Sequence, residues 1–135
     1  MDDELVDELI RATTTVGEHY YASAALVGLG VQEARLLFIL TTEPSNMLGL
    51  SSALNVPKST LTGLIARMES AGLITRDRGE ADRRHLVANP TAKGRKVATA
   101  FTAELAARVS AIVPDDPEFA GILTAVLKNA ESGEG

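Results

Sequence analysis

Residues 46–84 read NMLGLSSALNVPKSTLTGLIARMESAGLITRDRGEADRR, and their order decides the fold. Ser45 or Asn46 can cap a short helix that runs through about Ala53. Leu54-Asn55-Val56 is a tight turn, with asparagine, the usual stand-in for glycine in left-handed geometry, at its centre. A second helix opens at Pro57-Lys58-Ser59-Thr60 and continues to about Ala71. Proline suits the first turn because its missing N–H would be unpaired anyway, and Gly72 ends the helix. Leu73–Asp77 and His85–Asn89 are the arms of a hairpin turning at Gly79 to Asp82. Helix, turn, helix and hairpin in that order predict a winged helix-turn-helix, which sets one helix in the DNA major groove and a basic loop beside it.

The helix from Pro57 to Ala71 divides cleanly. Leu61, Leu64, Ile65 and Met68 recur at i, i+3, i+4 and i+7 and must face the core. The opposite side carries Lys58, Ser59, Thr62, Gly63, Ala66 and Arg67, with no carboxylate before Glu69. Such a face enters a groove about 12 Å wide without steric or charge conflict. Lys58 and Ser59 stand at the helix start, where free N–H groups favour phosphate. Thr60 and Thr62 are candidates for phosphates or base edges. On the hairpin, Arg76, Arg78, Arg83 and Arg84 crowd a short loop. Asp82 supplies a counter-charge that shapes it and frees another guanidinium for a narrow minor groove.

Charge distribution agrees with this reading although the total does not. The chain of 135 residues has a net charge of −5. From Lys58 to Lys96, however, nine basic residues face four acidic ones, so the acidic excess lies elsewhere. Local charge governs approach to phosphates, and an acidic remainder limits indiscriminate sticking. With 45% apolar residues and 4% aromatic, the core is built from Leu, Val, Ile and Ala. The absence of cysteine removes disulfides, thiolate–zinc sites, thiol catalysis and a thiol redox switch together. Neither a signal peptide nor an apolar run of about 18 residues is evident, so a cytoplasmic protein is expected.

Long helices flank the central unit. Leu5, Val6, Leu9, Ile10, Thr13, Val16 and Tyr20 space out a first helix from Asp3 to Leu29, acidic at its start, with Gly28 and Gly30 at its end. Val31–Thr42 is a second helix, too apolar for the surface, broken at Glu43-Pro44. Pro90 closes the second hairpin arm because it cannot donate to a ladder. Thr91 caps a fifth helix from Ala92 to Ile112. Asp116 caps a last helix that starts at Pro117 and ends near Ala130, leaving residues 131–135 as a frayed tail.

The run LNVPKSTLTGLIARMESAGLITRDRGEADRRHLVANPTAKGR resembles the MarR family of winged-helix transcriptional regulators. The resemblance extends over the whole chain in layout, and about forty central residues give it specificity. It implies a mainly α fold with a small β-hairpin wing. Residues 1–30 and 91–135 would form dimerisation arms, and residues 31–90 the DNA-binding unit, within one intertwined domain. It carries Ser59, Thr60, Thr62 and Arg67 onto the recognition helix. Asp82 and Arg84 become the wing pair, with Arg84 entering the minor groove. Asn55 stands where the pattern has glycine and Pro57 where it has a capping serine. Both keep the backbone logic. Ser51 in place of a small apolar residue, and Asn89-Pro90-Thr91 in place of Ser-Leu-Thr, are expected to loosen the packing of the unit.

Terminal helices apolar on more than one face call for a second chain, so the resemblance and the pattern both imply a homodimer on a pseudo-palindromic site. The resemblance further implies a repressor of transcription and a small aromatic or phenolic effector, for which His19, Tyr20 and Phe38 are the candidate liners. His19 next to two tyrosines is more often a helix-surface or packed histidine than a ligand contact. No cofactor is expected, and a metal site is improbable because the two histidines lie in different elements. An enzyme is a poor reading, since no nucleophile–base–orienter set is visible. The rival that keeps the fold is a winged-helix architectural or protein-interaction module without ligand-responsive regulation.

Overall fold

The computed structural model describes residues 1–42, 45–78 and 86–133. Six helices and three strands follow one another as α1 (Asp3–Leu26), α2 (Val31–Thr42), β1 (Ser45–Asn46), α3 (Met47–Leu54), α4 (Lys58–Ser70), β2 (Ile74–Arg78), β3 (Leu86–Pro90), α5 (Ala92–Val109) and α6 (Pro117–Gly133). The fold is a winged helix-turn-helix between long helical arms. Among the described residues no single helix is long and apolar enough to cross a membrane.

Helix α2 is the hub. Its Ala34, Leu36, Leu37 and Leu40 are buried, and it touches α1, α3, α4, α5 and β3. Leu50 and Leu54 of α3 and Leu61, Leu64, Ile65 and Met68 of α4 close around it. Each of these buried aliphatic side chains contributes about 1.5–3 kcal/mol. The i, i+3, i+4, i+7 stripe on α4 therefore does what its spacing implies: it presses one face of the helix onto the core and turns the other outward.

Helices α1, α3 and α4 end by the same device, a Schellman turn. After α4, Gly72 has φ +77°, with its N–H on the Glu69 carbonyl and the Leu73 N–H on that of Met68. After α3, Asn55 takes the same role at φ 54°, with the Asn55 and Val56 N–H groups on Ser52 and Ser51. Ser51 does not loosen the unit as expected. Its Oγ donates to the Val56 carbonyl at 2.7 Å, so the hydroxyl staples the turn that an apolar residue would only have filled.

Several boundaries depart from the sequence reading: α1 stops at Leu26 and α5 at Val109, short of Leu29 and Ile112, and Pro57 is the N-cap of α4 and not its first residue. Ser45 and Asn46 form β1, paired with Ala88 and Val87 of β3, so the sheet has the order β1-β3-β2 rather than being a bare hairpin. Pro90 is the last rung of the β2–β3 ladder, opposite Ile74, where a strand end needs no donor. Helix α6 starts as expected, with Asp116 Oδ1 accepting from Phe119 N at 2.8 Å, but runs on to Gly133 instead of fraying at residue 131.

Candidate nucleic-acid interface

The outward face of α4 is open to solvent along its length. Lys58, Ser59, Thr60, Thr62 and Arg67 are all exposed. Pro57 occupies the N-cap and makes no side-chain cap bond, so the first-turn N–H groups face outward beside Lys58. Among the described residues neither Lys58 nor Arg67 has a carboxylate partner. Thr62 Oγ1 donates to the Lys58 carbonyl at 2.9 Å. Its hydroxyl proton is thus committed within the helix, and what it offers outward is an acceptor lone pair and a methyl group.

Beyond α4, the described part of the wing is tied to the helix. Arg76 Nε meets Glu69 Oε1 at 2.8 Å, with side chains 35% and 33% exposed. The pair spans the Gly72 turn and fixes the root of β2 against the last turn of α4. Asn89 Nδ2 donates to Asp77 Oδ2 at 3.3 Å across the ladder. Arg78 ends β2, its backbone paired with that of Leu86. Asp82, Arg83 and Arg84, and with them the expected Asp82–Arg84 pairing, lie outside the described residues.

A second set of bonds fastens the start of α5 to the end of α4. Thr91 caps α5 by accepting from Gly94 N at 3.0 Å, and the same hydroxyl donates to the Gly72 carbonyl at 2.6 Å. Thr91 N donates to the Leu73 carbonyl at 3.0 Å, and Lys93 Nζ to the Ala71 carbonyl at 2.8 Å. Gly94 is buried flush against this turn; a Cβ there would lie 2.1 Å from the Leu73 oxygen. The carbonyls at the end of α4 and in the turn after it, otherwise orphaned, are therefore satisfied by the start of α5.

Between α2 and α5 an open cleft of about 540 Å³ is lined by Phe38, Thr41, Arg95, Thr99, Thr102 and three alanines of α5. That volume suits a small ligand. Of the three residues expected around an effector, Phe38 is here, about half exposed. Tyr20 instead packs edge-on against Phe101, with ring centres 4.9 Å apart and planes at 72°. Burial pushes its phenol pKa up, with the positive charge of Arg35 acting the other way. His19 is partly buried, and its carbonyl accepts from Ser23 Oγ at 2.8 Å. Sequence reasoning passed over the α5 lining, although Arg95, Thr99, Thr102 and Ala106 recur at i, i+4, i+7 and i+11. Among the described residues no group of three or more His, Cys, Asp or Glu could hold a metal ion.

Comparison with known proteins bears on this geometry. Residues 31–86 match the model of the MarR family. The crystal structure of RV1404 from Mycobacterium tuberculosis is 28% identical over 98% of this chain and 93% of that one, with a TM-score of 0.77. AbsC, a MarR family transcriptional regulator from Streptomyces coelicolor, is 25% identical over 98% and 95%, also at 0.77. CouR from Rhodococcus jostii RHA1, bound to p-coumaroyl-CoA, shares the fold at 20% identity over 96% and 91%, with a TM-score of 0.81. No curated protein matches the chain.

Proposed function

The winged-helix unit of this chain belongs to the MarR family, and from that premise we propose that the protein is a homodimeric, sequence-specific DNA-binding regulator. One observation carries the reading: the exposed face of α4 combines Lys58, Ser59, Thr60, Thr62 and Arg67, two of them cations with no carboxylate partner among the described residues, on a helix anchored by four buried residues. An unpaired cation on a small-residue face suits phosphate and base edges better than it suits any group of its own chain. Lys58, Ser59, Thr60, Thr62 and Arg67 enter the major groove. Arg78, Arg83 and Arg84, with Asp82 as counter-charge, approach the neighbouring minor groove. Residues 1–30 and 91–135 hold two such units at the spacing of a pseudo-palindromic operator, and occupation of that site represses transcription.

Arg67 and Arg76 provide a matched test. Binding to a selected site, measured by fluorescence anisotropy over several salt concentrations, falls with salt at a slope of about 0.9 per neutralised phosphate. Arg67→Ala is expected to reduce that slope by about one for each half-site. Arg76→Ala is expected to change it much less, because Glu69 already neutralises that guanidinium. Equal slopes in Arg67→Ala and the parent protein would remove Arg67 from the interface, and failure of the parent to prefer any site over random DNA would overturn the function itself.

We assign the α2–α5 cleft to a small aromatic acid that modulates DNA binding. Phe38 offers a ring face and Arg95 the cation among the lining residues. A structure that shares the fold, NadR at 23% identity, is in complex with 4-hydroxyphenylacetate, a small aromatic acid. With 4-hydroxybenzoate and benzoate as probes, saturating ligand is expected to raise the melting temperature by several degrees. Arg95→Ala is expected to abolish that rise. A rise that persists in Arg95→Ala, or none with either acid, would refute the assignment.

A further inference from the structure

Gly63 lies in the middle of α4, where glycine is the poorest choice after proline. Among the described residues nothing in the fold asks for it. Its φ is not positive, and a Cβ would meet nothing nearer than Arg67 Nη1 at 3.7 Å, an ordinary contact. Gly94 and Gly72, by contrast, are held to glycine by a backbone clash and by a left-handed turn. No contact among the described residues accounts for glycine at 63, and what remains is the face it presents outward.

Its surroundings indicate what that face suits. Gly63 sits on the outward face between Thr62 and Ala66, with the unpaired Arg67 guanidinium laid along it. The Thr62 hydroxyl donates its hydrogen bond to the Lys58 carbonyl, so a methyl is part of what the side chain offers. The patch formed by Thr62, Gly63 and Ala66 is small and poor in donors. In the major groove the edges of the bases present a single kind of apolar group, the 5-methyl of thymine.

We propose that Gly63 is a specificity-determining residue: the bare backbone at this position admits a thymine methyl, flanked by Thr62 and Ala66, while Arg67 spans the adjoining base or phosphate. This inference rests on the DNA-binding reading and deepens it. A Cβ at residue 63 would hold α4 away from the groove by about the thickness of a methyl group. Small residues that merely avoid a clash would leave binding indifferent to the methyl, so the two accounts differ in what they expect of the DNA.

The test begins with selection of a preferred duplex by the parent protein from a random library. If no preferred sequence emerges, the DNA-binding reading fails and this inference falls with it. Given a selected site, each thymine is replaced in turn by uracil, which deletes only the methyl. One thymine per half-site is expected to matter, weakening parent binding roughly fourfold per half-site, the worth of one buried methyl. Gly63→Ala is expected to melt a few degrees higher, to bind the selected site at least about tenfold more weakly, and to respond equally to thymine and uracil. Unchanged affinity of Gly63→Ala, a retained preference for thymine over uracil in that variant, a lowered melting temperature, or indifference of the parent to every uracil would each overturn the proposal while leaving the selected site, and so the function, standing.

Discussion

Gly94→Ala is expected to lower the melting temperature by on the order of 10 °C, the reverse of the change at Gly63. The added Cβ would lie 2.1 Å from the Leu73 carbonyl oxygen and 3.1 Å from its carbon. Both are backbone atoms. A flexible side chain could swing aside, but this carbonyl is fixed by Thr91 N at 3.0 Å and by the Schellman turn at Gly72. Nor can α5 retreat freely, since Leu37 Cδ1 of α2 would stand 3.3 Å away on the same atom. Relief therefore demands that α5 and the α4–β2 turn separate, which breaks or lengthens the Thr91 bonds to Gly72 and Leu73 and the Lys93 bond to Ala71.

Overpacking of this kind typically costs about 1–3 kcal/mol, and weakening of the hydrogen bonds at the joint adds to it. Gly94→Ala should thus fall near the upper end, about 3 kcal/mol, in a chain whose whole stability is on the order of 10 kcal/mol. Thermal unfolding followed by circular dichroism measures it. Gly121, with nothing within 4 Å of its would-be Cβ, provides the internal comparison, because alanine there meets no atom of its own chain. A melting temperature for Gly94→Ala within 2 °C of the parent would show that the joint is not tight. The consequence reaches beyond stability: α4 takes its attitude from α5 through this joint, so, under the function proposed above, a variant that folds with the joint opened should also bind DNA more weakly.

Features set by local chemistry were readable in the chain. The stripe of Leu61, Leu64, Ile65 and Met68, the caps at Thr91 and Asp116, and the left-handed Asn55 each follow from spacing or backbone preference within a few residues. What escaped depends on contacts between distant segments. A two-residue strand such as Ser45–Asn46 has no periodicity to detect and exists because β3 offers it an edge. Arg76 reads as a free wing cation until the Gly72 turn carries it back to Glu69. The T-x-x-G ending at Gly94 reads as a helix start, and only the approach of Leu73 shows why the last residue must be glycine. The α2–α5 cleft is likewise a product of lining residues 54 or more positions apart along the chain, and the helical spacing of Arg95, Thr99, Thr102 and Ala106 does not by itself show that Phe38 and Thr41 stand opposite.

The larger expected effect on function comes from α6. None of its seventeen residues is buried, and Ile122, Leu123, Val126 and Leu127 are each half or more exposed. Most helical stability in proteins comes from packing of an apolar face, and α6 packs its own on nothing among the described residues. Leu5, Leu9, Ile10 and Val16 of α1 are similarly bare, although the C-terminal part of that helix packs on α5. Under the dimer proposed above, these two stripes meet their counterparts in a second copy, and specific interfaces bury about 800 Å² on each partner. Leu123→Glu combined with Val126→Glu places two charges in the centre of that surface, where each would be buried without a partner. The expected product is a chain that sediments as a 14.2 kDa monomer. Its winged unit, whose core lies wholly within one chain, should keep its fold. DNA binding should nevertheless fall at least about a hundredfold, because the second half-site then no longer acts at the millimolar effective concentration that linkage provides. The remaining affinity should be nearly indifferent to sequence, and it should no longer depend on whether the two half-sites are correctly spaced. A double variant that still sediments as a dimer would exclude α6 from the interface. A monomer that binds the full operator as tightly as the parent would show that recognition needs only one winged helix.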